Sequence, residues 1–475
     1  MKKALKNLFT VLIFIFILPK LCIGGPYVKV GSSIYENLLY LEARGCIESA
    51  ILTSLPLTAE SISRLLEEAK LNCKTPDAYI LKAESLIEEE LPDTSSSLPY
   101  FKPLHETEAG IIYSTSKLSE EHTYNQKGDT FKKGVNLKVK FNSYFYSKNF
   151  SGYISPEVLY QKDRGSLRLK EAYGVLSFGR LNFIFGKQAM WWGPGWGGSI
   201  ILSDNADPFV QVRIENNYPW LIPYLGLFKF HFFITRLGKN RIVPEPYLWG
   251  LRLEFKPNPR FTIGLSRTAL LGGKGRSATL ATWIKSFLAR DENTSKEPGD
   301  QRAGFDVKLS VPNKWIPFET YLEAEGEDEA GGLPYKWAFI SGIYFPKVPK
   351  LKGFSLRLEY ASTDKAWYIH HIYRSGYTYK SKIIGYYIGR DARSFLLNVN
   401  WWWLEKSVKF SFSQYRISHH LTGEKEYISD FKIKKWLSSK LQIEWDLEYF
   451  RFKNYAGTGN NKRLLITYLM FDYFI

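Results

Sequence analysis

From about Pro99 to the last residue, one pattern recurs: apolar and polar residues alternate with period two, and the polar partners are mostly long and charged. Val135, Leu137, Val139 and Phe141 alternate with Asn136, Lys138, Lys140 and Asn142. Leu441, Ile443, Trp445 and Leu447 alternate with Gln442, Glu444, Asp446 and Glu448. The same holds where Trp249, Leu251, Leu253 and Phe255 flank Arg252 and Glu254, around Phe305 to Val311, and around Leu356 to Tyr360. Successive side chains of a strand point to opposite faces, so each stretch is a strand with one apolar and one charged face. A large soluble antiparallel sheet alternates too. Charges recurring on one face of nearly every strand fit better a closed antiparallel β-barrel with lipid outside and a wet lumen.

The ends of the chain agree. Met1-Lys2-Lys3-Ala4-Leu5-Lys6, an apolar run from Leu8 to Leu18, then Pro19 and Gly24-Gly25 have the layout of a secretory signal peptide, expected over 1–24. Lys20 and Leu21 make Cys22 a poor lipoprotein acceptor, so it is expected to leave with the signal. No other apolar run reaches the ~20 residues a membrane helix needs. Phe, Tyr and Trp number 32, 31 and 14, high for a soluble protein. Leu465, Thr467, Leu469, Phe471, Tyr473 and Ile475 share one face of a strand that runs to the terminus, as outer-membrane barrels commonly end. At strands of about ten residues with alternating short and long turns, residues 99–475 hold about 16 to 18 strands, and 18 is the expectation.

Between signal and barrel the period is helical. Ile34, Leu38, Leu41 and Ile47 open a first helix; Thr58 caps a second with Ile62, Leu65, Leu66 and Ala69 on its apolar face; Pro76-Asp77 starts a third, to about Leu91. Ser95-Ser96-Ser97 reads as a linker, giving a helical domain over 25–98. Cys46 and Cys73 are the cysteines left in the mature chain: one disulfide, or two buried thiols.

Charge is uneven. Residues 25–98 carry twelve acids and six bases, whereas the barrel holds 54 bases and 35 acids. A basic, wet barrel favours anionic partners: anionic polysaccharide or lipopolysaccharide suits an exported protein, and nucleic acid does not. In the loop at 277–290, Leu280, Trp283, Ile284, Phe287 and Leu288 have amphipathic helical spacing, a lid or plug for the lumen or a surface helix.

The densest motif is Trp191-Trp192-Gly193-Pro194-Gly195-Trp196-Gly197-Gly198, followed by Ser199 to Pro208 with Asp204, Asn205 and Asp207. Glycine and proline permit tight turns and close approach, and Trp offers a stacking face. It is either a carbohydrate-stacking surface or a turn that plugs a pore. Glu327-Asp328-Glu329 are adjacent and cannot flank one glycosidic bond; they read as turn acids or calcium ligands. Gly272-Gly273-Lys274-Gly275-Arg276-Ser277 lacks phosphate-loop spacing. His370-His371 and His419-His420 are neighbours that face opposite ways on a strand. Of Trp401-Trp402-Trp403, at least one ring belongs to an interfacial girdle. No catalytic or metal-binding constellation emerges, and no cofactor is expected.

The run from Trp192-Gly193-Pro194-Gly195 to Ser203-Asp204-Asn205-Ala206 resembles the most specific motif of the Wzi-type capsule-assembly proteins of Gram-negative outer membranes. Tyr35 to Gly45, Gln301 to Asp306 and Gly326 to Gly331 are similar to further blocks of that family; Tyr373 to Tyr377, Gly385 and Gly389-Arg390-Asp391 agree less well, with Gly385-Tyr386-Tyr387 departing from the usual step. The resemblance implies an 18-stranded outer-membrane barrel with a periplasmic helical bundle and a lectin role, holding capsular polysaccharide at the surface without catalysis. The alternatives are a porin-like channel for anionic solutes and, behind it, a glycan- or lipid-modifying enzyme. Candidate polysaccharide-binding residues are Trp191, Trp192 and Trp196 as stacking faces, Arg213, Arg276 and Arg302 as cations, and Asp204 and Asn205 as turn formers or hydroxyl acceptors. A monomer is expected.

Overall fold

The computed structural model describes residues 25–93, 98–288, 299–330 and 333–475. The signal-peptide expectation for 1–24, with Cys22, lies outside the described residues, as do the linker serines at 95–97 and the loop beyond Leu288.

Eighteen antiparallel strands close into a barrel. In order they are β1 (Tyr100–Ser114), β2 (Gly134–Tyr146), β3 (Phe150–Gln161), β4 (Arg164–Phe178), β5 (Leu181–Lys187), β6 (Val210–Asn216), β7 (Gly226–Arg236), β8 (Tyr247–Asn258), β9 (Phe261–Leu271), β10 (Gly299–Val311), β11 (Phe318–Ala330), β12 (Leu333–Phe345), β13 (Phe354–Thr363), β14 (Ala392–Trp403), β15 (Val408–His419), β16 (Lys425–Trp436), β17 (Leu441–Lys453) and β18 (Lys462–Phe474). Each pairs with its neighbours in sequence, and β1 closes the ring on β18 with Ala109 opposite Phe471. Past a break, Trp220–Ile222 continues the line of β6 along β7.

The barrel is apolar outside and polar inside. On β2, Val135, Leu137 and Phe141 are exposed while Asn136 and Asn142 are buried; Phe471, Tyr473 and Ile475 of the final strand also face out. Charges removed from water cost several kcal/mol per ion unless paired, and inward charges pair across strands, Arg252 with Asp306 at 2.6 Å, Lys140 with Glu108 at 2.6 Å and Arg302 with Glu327, or along one strand, Arg302 with Asp300 at 2.9 Å.

Three helices, α1 (Ser33–Ala43), α2 (Ala59–Asn72) and α3 (Ala78–Glu90), close one end. Thr58 Oγ1 accepts the Ser61 N–H and Asp77 accepts those of Tyr79 and Ile80, stopping frayed ends. Leu38, Leu41, Ile62, Leu66, Ile80 and Ile87 form a core separate from the barrel's. Cys46 and Cys73 are disulfide-bonded, Cα–Cα 5.3 Å. The bundle sits at the end with the short connections, which carry nine Lys/Arg and only Glu405 as an acid. The acidic bundle is held by lysines at that end of the strands: Glu36 pairs with Lys409 at 2.6 Å, and Glu42 takes both Lys256, at 2.9 Å, and Lys308.

The amphipathic helix, α4 (Leu280–Phe287), is not the plug. It lies against the outside of the barrel: Phe287 packs on Trp249 (ring centroids 4.4 Å apart) and Phe232, Trp283 packs on Tyr247, and Trp249 Nε1 donates to Ser286 Oγ at 3.0 Å. Periodicity shows that a helix has an apolar face but not which wall receives it. Here the lumen wall is charged and the outer wall aromatic, so the face goes outward.

Candidate functional site

The Trp–Gly loop is what fills the lumen. Residues 193–209 cross between two inward carboxylates. The Ile200 N–H and Ser199 Oγ donate to Glu323 of β11 at 2.7 and 3.0 Å. The Trp196 and Gly197 N–H groups donate to Glu359 of β13 at 2.7 and 3.0 Å. Four donors from the loop thus end on two wall carboxyl groups, so two wall residues seat a loop with few side chains of its own. Gly193 adopts φ +134°, and a Cβ on Gly198 would overlap the Tyr386 ring.

At the long-loop end, residues 203–207 sew three loops together. Lys127 N–H donates to the Asp204 carbonyl at 2.7 Å and Gly128 N–H to that of Asn205 at 3.1 Å, while Asn205 Nδ2 donates to the Ile383 carbonyl at 2.9 Å. Burial pushes the Asp204 carboxyl up to about 6, against the pull of Lys127. Lys382 ties the same loops by donating to the carbonyls of Glu121 and Thr123 at 2.8 and 3.0 Å, and burial pulls its pKa down to about 8.

Beside this knot lies a basic cluster. Asp207 pairs with Lys380 at 2.6 Å and Lys187 at 3.0 Å; Asp129 pairs with Lys170 at 2.7 Å, Lys138 at 2.9 Å and Arg168 at 3.1 Å; Glu171 takes Lys127 at 3.1 Å, and Glu157 takes Arg168 and Lys138. Six cations thus share four carboxylates. The Lys380 side chain is 59% exposed, with its amine 5.5 Å from the Tyr379 ring centroid.

The candidate residues fall in separate places. Trp192 is buried, its ring 5.3 Å from that of Phe233 and its backbone paired with Ser54. Trp191 and Trp196 face a lumen cavity of about 440 Å³. Arg213 is buried, 3.0 Å from Glu215 and bonded to Gln188. Arg302 is buried with Asp300 and Glu327, its guanidinium 4.3 Å from the Tyr377 ring. Arg276 sits at the long-loop rim near Tyr373, and Asp204 and Asn205 lie in the knot. Tryptophans and arginines therefore do not converge on one surface. The sequence reading missed Glu323, Lys170, Lys187 and Lys380. The first two are inward positions of alternating strands, whereas Lys380 carries no signal of its own.

The family model described as capsule assembly protein Wzi matches residues 111–464. This chain belongs to the Wzi family of capsule-assembly proteins. An uncharacterised 55.8 kDa protein in the cps region of Klebsiella pneumoniae is 28% identical over 322 residues, covering 66% of this chain and 60% of that protein, so less than two thirds of the relative is spanned. The solved structure of Wzi, an outer membrane protein involved in group 1 capsule assembly in Escherichia coli and titled a carbohydrate-binding β-barrel, superposes with a TM-score of 0.74 over 94% of this chain and 99% of that one, at 21% identity. At that identity the likeness is one of fold. Pseudomonas aeruginosa OccK5 (OpdH) gives a TM-score of 0.51 over 79% of this chain and 96% of that one, at 10% identity. Within this Wzi-family chain the resembling blocks meet: Arg302 of the Gln301–Asp306 block lies opposite Glu327 of the Gly326–Gly331 block. Glu327 and its neighbours, read as turn acids, are in β11; Glu327 also accepts the Tyr368 N–H at 2.9 Å.

Proposed function

We propose that this Wzi-family barrel sits in the outer membrane with its helices in the periplasm and holds an anionic, capsule-type polysaccharide at its long-loop mouth, as a monomeric, non-catalytic anchor surrounded by lipid and lipopolysaccharide. The observation that carries the reading is the cluster of six cations on four carboxylates at that mouth, with Lys380 exposed beside Tyr379. Excess positive charge beside an aromatic face is the chemistry that retains acidic sugars. The carbohydrate-binding Escherichia coli Wzi supports it through the shared fold. The plug supports an anchor over a channel for anionic solutes, because wall carboxylates hold it across the lumen.

The test pairs Lys380→Gln with Arg168→Gln in the full-length protein. At about 0.7 kcal/mol for each of these solvent-accessible charges, the double variant is expected to bind purified polysaccharide roughly tenfold more weakly. Cells carrying it should shed surface polysaccharide while the barrel still shifts on a gel with heating. Wild-type affinity and retention in that variant would overturn the reading.

A further inference from the structure

The opposite end of the molecule has a second concentration of cations and rings. Where the bundle meets β12 to β15, a cavity of about 500 Å³ opens between α1, α3 and the 346–353 connection and runs inward to Trp196 of the plug loop. That volume lies within the ~300–1,000 Å³ usual for small-ligand pockets.

Two of its charged pairs are satisfied: Lys409 with Glu36 at 2.6 Å, and Arg44 with Asp77 at 2.7 Å. Arg357 is different. It is buried, with its guanidinium carbon 4.4 Å from the Trp196 ring centroid and 4.1 Å from that of Tyr344, and it forms no ion pair among the described residues. Stacking between rings fixes the plane of the fork; Glu319 and Glu359 lie near it without closing an ion pair, and Tyr321 is its polar neighbour. At the rim Lys347, Lys350 and Lys352 are exposed and likewise make no ion pair among the described residues. Every unpaired charge lining the cavity is therefore positive. Tyr40, Tyr79 and Trp402 supply aromatic wall, and Asn398 and Asn400 supply amides.

A planar donor fork at the closed end suits a carboxylate. Ring faces and amides beside it suit the faces and hydroxyls of a sugar, which a bare anion would not use. We propose that this bundle–barrel cavity binds a carboxylate-bearing sugar unit, with Arg357 on the carboxylate, separately from the long-loop mouth. The two sites share no cation. The plug loop contributes to both, through Trp196 here and Asp207 there.

The experiment uses the full chain in detergent and works in the Lys380→Gln/Arg168→Gln background, so that any binding at the mouth is weakened and changes caused by variants in the cavity report on the cavity. Titration calorimetry with a hyaluronan tetrasaccharide, which carries two glucuronates, is expected to show binding. Adding Arg357→Gln should weaken it at least about tenfold, the loss of a charge-assisted bidentate contact. Because Arg357 is buried, Lys350→Gln/Lys352→Gln on the exposed rim is the second variant, expected to weaken binding roughly threefold with folding untouched. Maltotetraose, the neutral control, should bind at least about tenfold more weakly than the acidic tetrasaccharide. No binding in the mouth-variant background overturns the proposal, as does affinity unchanged by both the Arg357 and rim variants. Displacement by equimolar inorganic phosphate would show a simple anion site and overturn the sugar assignment.

Discussion

Ser54 and Trp192 lie opposite one another on a two-residue antiparallel ribbon inside the barrel. The Gly193 N–H donates to the Thr53 carbonyl at 2.8 Å, and Thr53 and Ser54 in turn donate to Glu254 on the wall. The segment between α1 and α2 enters from the short-turn end and the Trp–Gly loop from the long-loop end. Bundle and plug are thereby one closure joined at this ribbon.

That closure makes Gly198 intolerant of size. A Cβ there meets the Tyr386 ring, which neighbouring loop residues hold in place. Overpacking of this kind costs about 1–3 kcal/mol, and displacing the loop relieves it. Gly198→Val is expected to unseat the plug while the barrel still inserts. Planar-bilayer recording should find the wild type closed and the variant conducting; a large steady conductance from wild type would refute the closure.

The bundle should be held chiefly by Glu42. It is buried, and both Lys256 and Lys308 of the wall reach it. Removing the shared carboxylate leaves buried Lys256 with the Ala50 carbonyl and no carboxylate, and Lys308 with Glu319 at 3.7 Å alone, a loss of about 3 kcal/mol. Glu42→Gln is expected to release the helices without unrolling the barrel. Limited proteolysis should then cut within 25–93 faster than in wild type; equal rates would show that other contacts hold the bundle.

The barrel was legible because alternation is a local signal. Val135 and Leu137 face out and Asn136 faces in, as a period of two requires. The caps at Thr58 and Asp77 were legible for the same reason. Partnerships between distant strands were not. Arg213 and Glu215, like Arg302 and Asp300, are two residues apart on one strand, so alternation already puts each pair on one face; the Arg302–Glu327 pair and the Arg252–Asp306 pair, which skips a strand, appear only once the strands are in register. The Trp–Gly run showed that the backbone turns tightly, but not that Glu323 and Glu359 wait on the wall to receive its N–H groups. The α4 pattern gave a helix and left its side of the wall open.

The cysteine pair closes a loop of 27 residues across the bundle. By the chain-entropy account a bridge of that span contributes about 3–4 kcal/mol. Cys46→Ser/Cys73→Ser is expected to lower the bundle's melting temperature while leaving the barrel transition in place. Peptide mapping of unreduced wild type should recover the two cysteines as one linked pair; two alkylatable thiols in the native protein would contradict it.

The long-loop knot should loosen with rising pH, and Asp204 is the reason. Its carboxyl is buried, Oδ1 has no hydrogen-bond partner among the described residues, and burial lifts its pKa from 3.8 to about 6. Between those values the folded state holds a proton that the unfolded state has released, so stability falls as pH climbs from about 4 to about 6 and stays lowered above that. A shift of roughly two units corresponds to at most about 3 kcal/mol. Asp204→Asn keeps the shape and removes the charge; its backbone carbonyl still accepts the Lys127 N–H. Near-UV circular dichroism melts should show the variant more stable than wild type at pH 8, with the difference shrinking to nothing by about pH 4. A difference that is the same at both pH values would mean that Asp204 does not titrate in this window and that the knot is indifferent to its charge.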